Sequence, residues 1–286
     1  MKLHCIPILS ALFTSLVCFS NPATKISDNS PSSGIVIRWN DCEQTIDGFG
    51  IAQAGWAKEL FAFKNRKQVM DKMFGNDGLR LNILRGEIFP HYWENKEDKD
   101  FNLNDDINIE LCDSDFNNKS DDLLRRGQLW LTLEAKNKYH INKLVFSTWS
   151  APAWMKSNGK VSNGKLKPEC YQDFANYLAA FYKAYKSKGI TPYAISPSNE
   201  PGYAAPWNSS LWTADEMGKF ITSNLGPTFQ KENIPAKIIF GENPLWSVVM
   251  PQLKMVSSKD FTDTILQDYP EIKKFNLIAA GHGYSL

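Results

Sequence analysis

From residue 46 onward, short apolar runs alternate with amphipathic stretches, and this alternation is the feature that most narrows the fold. The best-defined repeat centres on "CYQDFANYLAAFYKAYKSKG" (170–189), where Phe174, Tyr177, Leu178, Phe181 and Tyr185 fall on one helical stripe. Gly189 stands where such a helix would stop. On either side lie "NKLVFSTWS" (142–150) and "YAISPS" (193–198), apolar runs of strand length. Strands joined by helices cannot be antiparallel hairpin neighbours, so the pattern predicts a parallel sheet with helical crossovers. "QTIDGFGIAQAG", "GLRLNILRGEIF", "KIIFGEN" and "FNLIAAGHGY" read as further strands. "WAKELFAFKNRKQVMDKMF", "LLRRGQLWLTLEAKNKY", "TADEMGKFITSNLGPTFQKE" and a region around 247–268 read as helices. In total there are about six strand–helix units.

A parallel sheet of this kind is a (β/α)8 barrel or a doubly wound sheet, and both place ligands at the C-terminal strand ends. No helix opens on a Gly-rich phosphate fingerprint: "GFGIAQAG" lacks the GxGxxG spacing, which argues against a nucleotide site. With a net charge of +1, the chain has no electrostatic case for nucleic acid or a membrane surface. "DFNLNDDINIE" fails as a calcium loop because Asp105 occupies the glycine position and Leu111 the closing glutamate position.

Residues 1–20, "MKLHCIPILSALFTSLVCFS", have a secretory signal pattern, and 21–33 form a polar linker. The chain is therefore expected to be secreted, or to reside in the periplasm or cell envelope. No lipid anchor is expected at Cys18, because Ser15-Leu16-Val17 lack the small residues such a site wants. Cys42, Cys112 and Cys170 show no metal spacing. One bridge or three inert thiols both remain open.

Chemistry-bearing residues gather at the predicted strand ends: Arg85, Trp149, Asn199-Glu200, Glu242, and His282 with Tyr284. Glu200 is the sharpest of these. A carboxyl group at a strand end among apolar side chains favours its neutral form, which suits a general acid. Asn199 is placed to bond a hydroxyl, and Trp207 to cover an apolar sugar face. In "STWSAPAWMKSNG" (147–159), Trp149 is a pocket-floor candidate, Lys156 and Asn158 are expected to meet hydroxyls, and Trp154 to pack in the turn.

"FSTWSAPAWMKSNG", the helix after it and "YAISPSNEP" resemble consecutive elements of glycoside hydrolase family 30; "DGFG" resembles the family's first barrel strand and "GHGY" its sixth. The resemblance implies a retaining mechanism on β-linked glycans and an α/β fold, a (β/α)8 TIM barrel with a β-rich side domain. Here the barrel would be incomplete, with 34–45 as a side-domain strand and 46–286 as the partial barrel. By matching position, Glu200 resembles the acid/base, and Asn199 the partner of the sugar 2-hydroxyl. Trp149, His282, Tyr284 and, more loosely, Arg85 resemble subsite residues. The family's nucleophile is a Glu at the end of the seventh strand, whereas this sequence ends just past the sixth. Glu242 is expected to line the pocket rather than to replace that nucleophile. The expectation is thus a fragment of a longer enzyme, inactive alone and monomeric when complete, with no cofactor, no nucleic acid partner and no membrane span. Its substrate is expected to be β-1,6-galactan first, and xylan or glucuronoxylan second. The alternative is a carbohydrate-binding relative without catalysis.

Overall fold

The computed structural model describes residues 6–8, 41, 44–53, 56–93, 96–97, 127–247 and 256–284. Seven strands form one sheet, in the order β1-β7-β6-β5-β4-β3-β2. They are β1 (Ile6–Ile8), β2 (Gly50–Ala52), β3 (Ile83–Ile88), β4 (Lys143–Thr148), β5 (Ala194–Ser196), β6 (Lys237–Gly241) and β7 (Leu277–His282). Every pairing is parallel. Strands β2 to β7 lie side by side in chain order and make the first six staves of an incomplete (β/α)8 barrel. β1, from the predicted leader, pairs with the outer edge of β7. The expected side-domain strand over 34–40, Cys42, Cys112 and the acidic stretch 101–111 lie outside the described residues.

Alternation along the strands sorts the core into two layers. Leu84, Leu144, Phe146, Ile195, Ile238 and Phe240 point outward into the large helix-facing core. Ile83, Val145, Ala194, Ile239, Ile278 and Ala280 point inward and form a separate apolar plug inside the barrel. The aromatic stripe is core as expected: Phe174, Tyr177, Leu178, Phe181 and Tyr185 are all buried on α4 (Tyr171–Ser187). That helix ends just ahead of Gly189, whose φ of +81° suits a left-handed cap.

The helices depart from the sequence reading at two points. The predicted helix over 56–74 divides into α1 (Ala57–Ala62) and α2 (Arg66–Phe74), separated by an extended Phe63. The stretch after Thr213 stays helical, but in three pieces: α5 (Ala214–Phe220), a π-turn (Ile221–Leu225) and α6 (Gly226–Lys231). Pro227 has no N–H to donate, and the Gly226 N–H reaches back to the Ile221 carbonyl, so the wider turn absorbs the proline. The two other long helices are α3 (Gln128–Tyr139) and α7 (Ser258–Asp268). No helix among the described residues is long and apolar enough to cross a membrane.

Candidate active site at the C-terminal strand ends

One step above the apolar plug, the inward positions turn polar: Arg85 on β3, Ser147 on β4, Ser196 on β5 and His282 on β7. β6 would break the pattern, since simple alternation sends Glu242 outward beside Ile238 and Phe240. Instead Gly241 and Glu242 both adopt positive φ, +101° and +51°. The backbone thereby turns the carboxylate inward, and Glu242 ends with no exposed surface at all. Arg85 Nη2 donates to its Oε1 at 3.0 Å, while the Ser147 and Ser196 hydroxyls donate to its Oε2 at 2.9 and 2.5 Å. Burial alone would push this carboxyl up. The Arg85 charge, followed by His282 and the Ser196 hydroxyl, outweighs burial and holds it down to about 2.

Above this ion pair sits Glu200, also buried and also at positive φ, +50°. Non-glycine residues avoid this region, and two such glutamates at adjacent strand ends mark a backbone set by its surroundings. The setting is visible in the hydrogen bonds: the Glu200 N–H donates to the Glu242 carbonyl at 3.2 Å, and the Gly202 N–H to Asn243 Oδ1 at 2.7 Å. The chain after β5 is thus pinned to the chain after β6.

His282 joins the two carboxylates. Its Nδ1 lies 2.8 Å from Glu200 Oε1, and its Nε2 lies 3.8 Å from Glu242 Oε1, an ion-pair distance too long for a hydrogen bond. Burial pushes the imidazole down, but Glu200 and then Glu242 outweigh it, and the net direction is up. Tyr284, half-exposed, meets the His282 ring edge-on at 5.6 Å. Its phenol is pushed up by burial first and by the Glu200 charge second. Arg85 also donates to Asn199 Oδ1 at 2.7 Å and stacks its guanidinium 4.6 Å from the Trp149 ring centroid. One arginine therefore orients an amide, an indole and a carboxylate at once.

The structure brings Arg85, Trp149, Asn199, Glu200, Glu242, His282 and Tyr284 into one contact network. Glu242, expected to line the pocket, is fully buried as the counter-charge of Arg85. Trp207 lies apart on the loop after Glu200, 54% exposed, with its ring 6.4 Å from that of Tyr203. Of Lys156 and Asn158, both expected to meet hydroxyls, only Asn158 is exposed. Lys156 is fully enclosed, and Asn158 closes its own turn onto the Ser162 carbonyl at 2.9 Å. Trp154 packs edge-on against Trp93 at 5.1 Å. Ser147 and Ser196 were missed in the sequence; their signal was their inward parity with Val145 and Ala194.

The model of the glycosyl hydrolase family 30 TIM-barrel domain matches residues 46–249. The chain belongs to glycosyl hydrolase family 30. A Caenorhabditis elegans protein named as glucosylceramidase 3 is 30% identical over 200 residues, 66% of this chain and 37% of its own length. An endo-1,6-β-D-glucanase of Neurospora crassa is 28% identical over 237 residues, 77% of this chain and 45% of its own length. Among solved structures, an endo-β-1,6-glucanase shares the fold at a TM-score of 0.70 and 24% identity, covering 85% of this chain and 53% of that one. The family 30 chain described here thus spans about half the length of these relatives, or less.

Proposed function

We propose that this family 30 chain carries the acid/base half of a retaining glycosidase site for β-linked polysaccharide. The observation that carries the reading is Glu200, buried at a strand end with one carboxyl oxygen held by His282. Retaining hydrolysis needs a proton donor and a nucleophilic carboxylate about 5–5.5 Å apart. Glu200 supplies the first. Glu242, fully buried against Arg85, is too enclosed to attack an anomeric carbon and is not assigned the second role. Asn199, fixed by Arg85, is set to bond a sugar hydroxyl, and Trp149 and Tyr284 to flank the ring.

For substrate we propose a β-1,6-linked hexose polymer, galactan by the wording of the sequence. The two relatives named for β-1,6-glucan support the linkage. Xylan or glucuronoxylan is the second choice, supported by a Bacillus subtilis relative named glucuronoxylanase that is 31% identical over 149 residues. Export by the N-terminal segment and a monomeric state belong to the same proposal. Cell fractionation with N-terminal sequencing tests the first, and sedimentation tests the second.

The deciding experiment replaces Glu200 with Gln and with Ala in the full-length protein. Turnover on galactan should fall by about 10²–10⁴-fold while glycan binding persists. With an activated aryl glycoside the first step needs no acid, so azide should restore turnover to Glu200→Ala and yield the β-glycosyl azide. A wild-type protein that binds but never hydrolyses would instead establish the carbohydrate-binding alternative.

A further inference from the structure

Lys156 follows the strand that carries Trp149, yet its side chain is completely buried. The ammonium group donates to Ser150 Oγ at 3.1 Å and to the Ser209 carbonyl at 2.7 Å. Neither acceptor is charged, and among the described residues no carboxylate pairs with it. Burial brings its pKa down to about 8. Taking an ammonium ion out of water without a counter-ion is costly, and an apolar side chain of equal volume would fill the space with no such penalty. What an apolar side chain could not supply is two directed donors from one atom.

Those donors join different loops. Ser150 directly follows Trp149 at the end of β4, whereas Ser209 lies on the segment that leads away from Glu200 and carries Trp207. Ser209 is itself a knot. Its N–H donates to the Val161 carbonyl at 3.0 Å, and its Oγ accepts from the Asn163 N–H at 2.9 Å. The same hydroxyl is within reach of the Ala205 and Trp207 carbonyls, at 2.9 and 3.2 Å. Backbone bridges pair Ser162 with Asn208 and Lys165 with Leu211. Hydrogen bonds therefore lead from the residue beside Trp149, through Lys156, to Ser209, whose single hydroxyl proton is shared between the Ala205 and Trp207 carbonyls of the Trp207 loop. The Trp207 ring is more than half exposed, with the Tyr203 ring beside it at 6.4 Å, so the anchoring of its backbone does much to place it.

We propose that Lys156 is a positioning residue for substrate, a buried clamp that fixes the Trp207 loop against the Trp149 strand end and so sets the spacing of two indole platforms along a glycan chain. This rests on the reading of the cleft as a glycan site. Lys156 touches neither the substrate nor the network around Glu200; it acts through Ser209.

The test compares Lys156→Met, Trp207→Ala and the double variant in the full-length protein. The probes are β-1,6-linked galactan and glucan oligosaccharides of two and of five or more sugars. Methionine fills most of the lysine volume but donates nothing. Lys156→Met should raise KM for the longer oligosaccharide by about tenfold, leave kcat within about twofold and leave KM for the disaccharide unchanged. Trp207→Ala should do the same, and the double variant should be no worse than Trp207→Ala alone, because both changes disable one platform. A wild-type KM in Lys156→Met beside a raised KM in Trp207→Ala overturns the clamp and leaves the glycan site standing. So does full additivity in the double variant. A wild-type KM in Trp207→Ala overturns the platform itself. Should Lys156→Met fail to fold, Ser150→Ala removes one acceptor and must still raise KM for the long substrate; if it does not, the clamp is refuted.

Discussion

Arg85 and Glu242 form a deeply buried ion pair, and each holds more than the other. Arg85 reaches Asn199 and Trp149 as well as Glu242, and Glu242 gathers two serine hydroxyls besides the guanidinium. With side-chain exposures of 8% and 0%, neither charge has water to fall back on. Arg85→Met should therefore cost about 3–5 kcal/mol in chemical unfolding, the usual penalty for stranding a buried partner. Glu242→Gln should cost a similar amount by stranding Arg85. The double variant should recover much of that loss, since it removes both charges together. Additive losses would show that the two residues act separately. Each of these residues was legible in the sequence as a polar group at a strand end. Their contact was not, because strand order and twist, rather than spacing in the chain, bring residues 85 and 242 together.

At the scale of the element, the turn after β6 decides where Glu242 points. A Cβ on Gly241 would lie 2.3 Å from the Ala280 carbonyl oxygen and 2.9 Å from Thr262 Cγ2, at a φ that L-residues resist. Gly241→Ala should thus destabilise by clearly more than the roughly 1 kcal/mol that a positive φ costs by itself. Gly189→Ala is the internal control: φ is also positive there, but nothing lies within 4 Å of the added atom. Equal melting shifts for the two would remove the steric argument. The sequence announced most of the elements themselves, because strand and helix periods leave different apolar spacings. It hid three details for identifiable reasons. The division of the first helix at Phe63 follows no proline or glycine. The π-turn before Pro227 is a repair that keeps the helix running through a residue expected to break it. The inward turn of Glu242 depends on two successive positive φ values, one of them at a residue that rarely adopts them.

Across the whole molecule, the apolar plug of the barrel supports a polar layer whose charges tie its stability to pH. Glu242 has a folded pKa of about 2 against an ordinary 4.5, so its contribution is present above pH 4.5 and is lost as pH falls toward 2. His282 is raised above 6.5, so its contribution is complete below that value and is lost as pH climbs through the folded pKa. Lys156 works in the opposite sense. Its pKa is lowered from 10.5 to about 8, so the unfolded chain binds the extra proton between those values and stability is regained as pH rises through them. The wild-type protein should therefore be most stable between pH 4.5 and 6.5, with losses on either side. Urea unfolding at steps from pH 2 to 8 measures this directly, and single variants divide it. Glu242→Gln should flatten the acid limb and leave the neutral limb in place. His282→Gln should flatten the decline above pH 6.5. An acid limb that survives Glu242→Gln unchanged would place the loss at some other carboxylate and leave the buried pair without its assigned part in holding the half-barrel together.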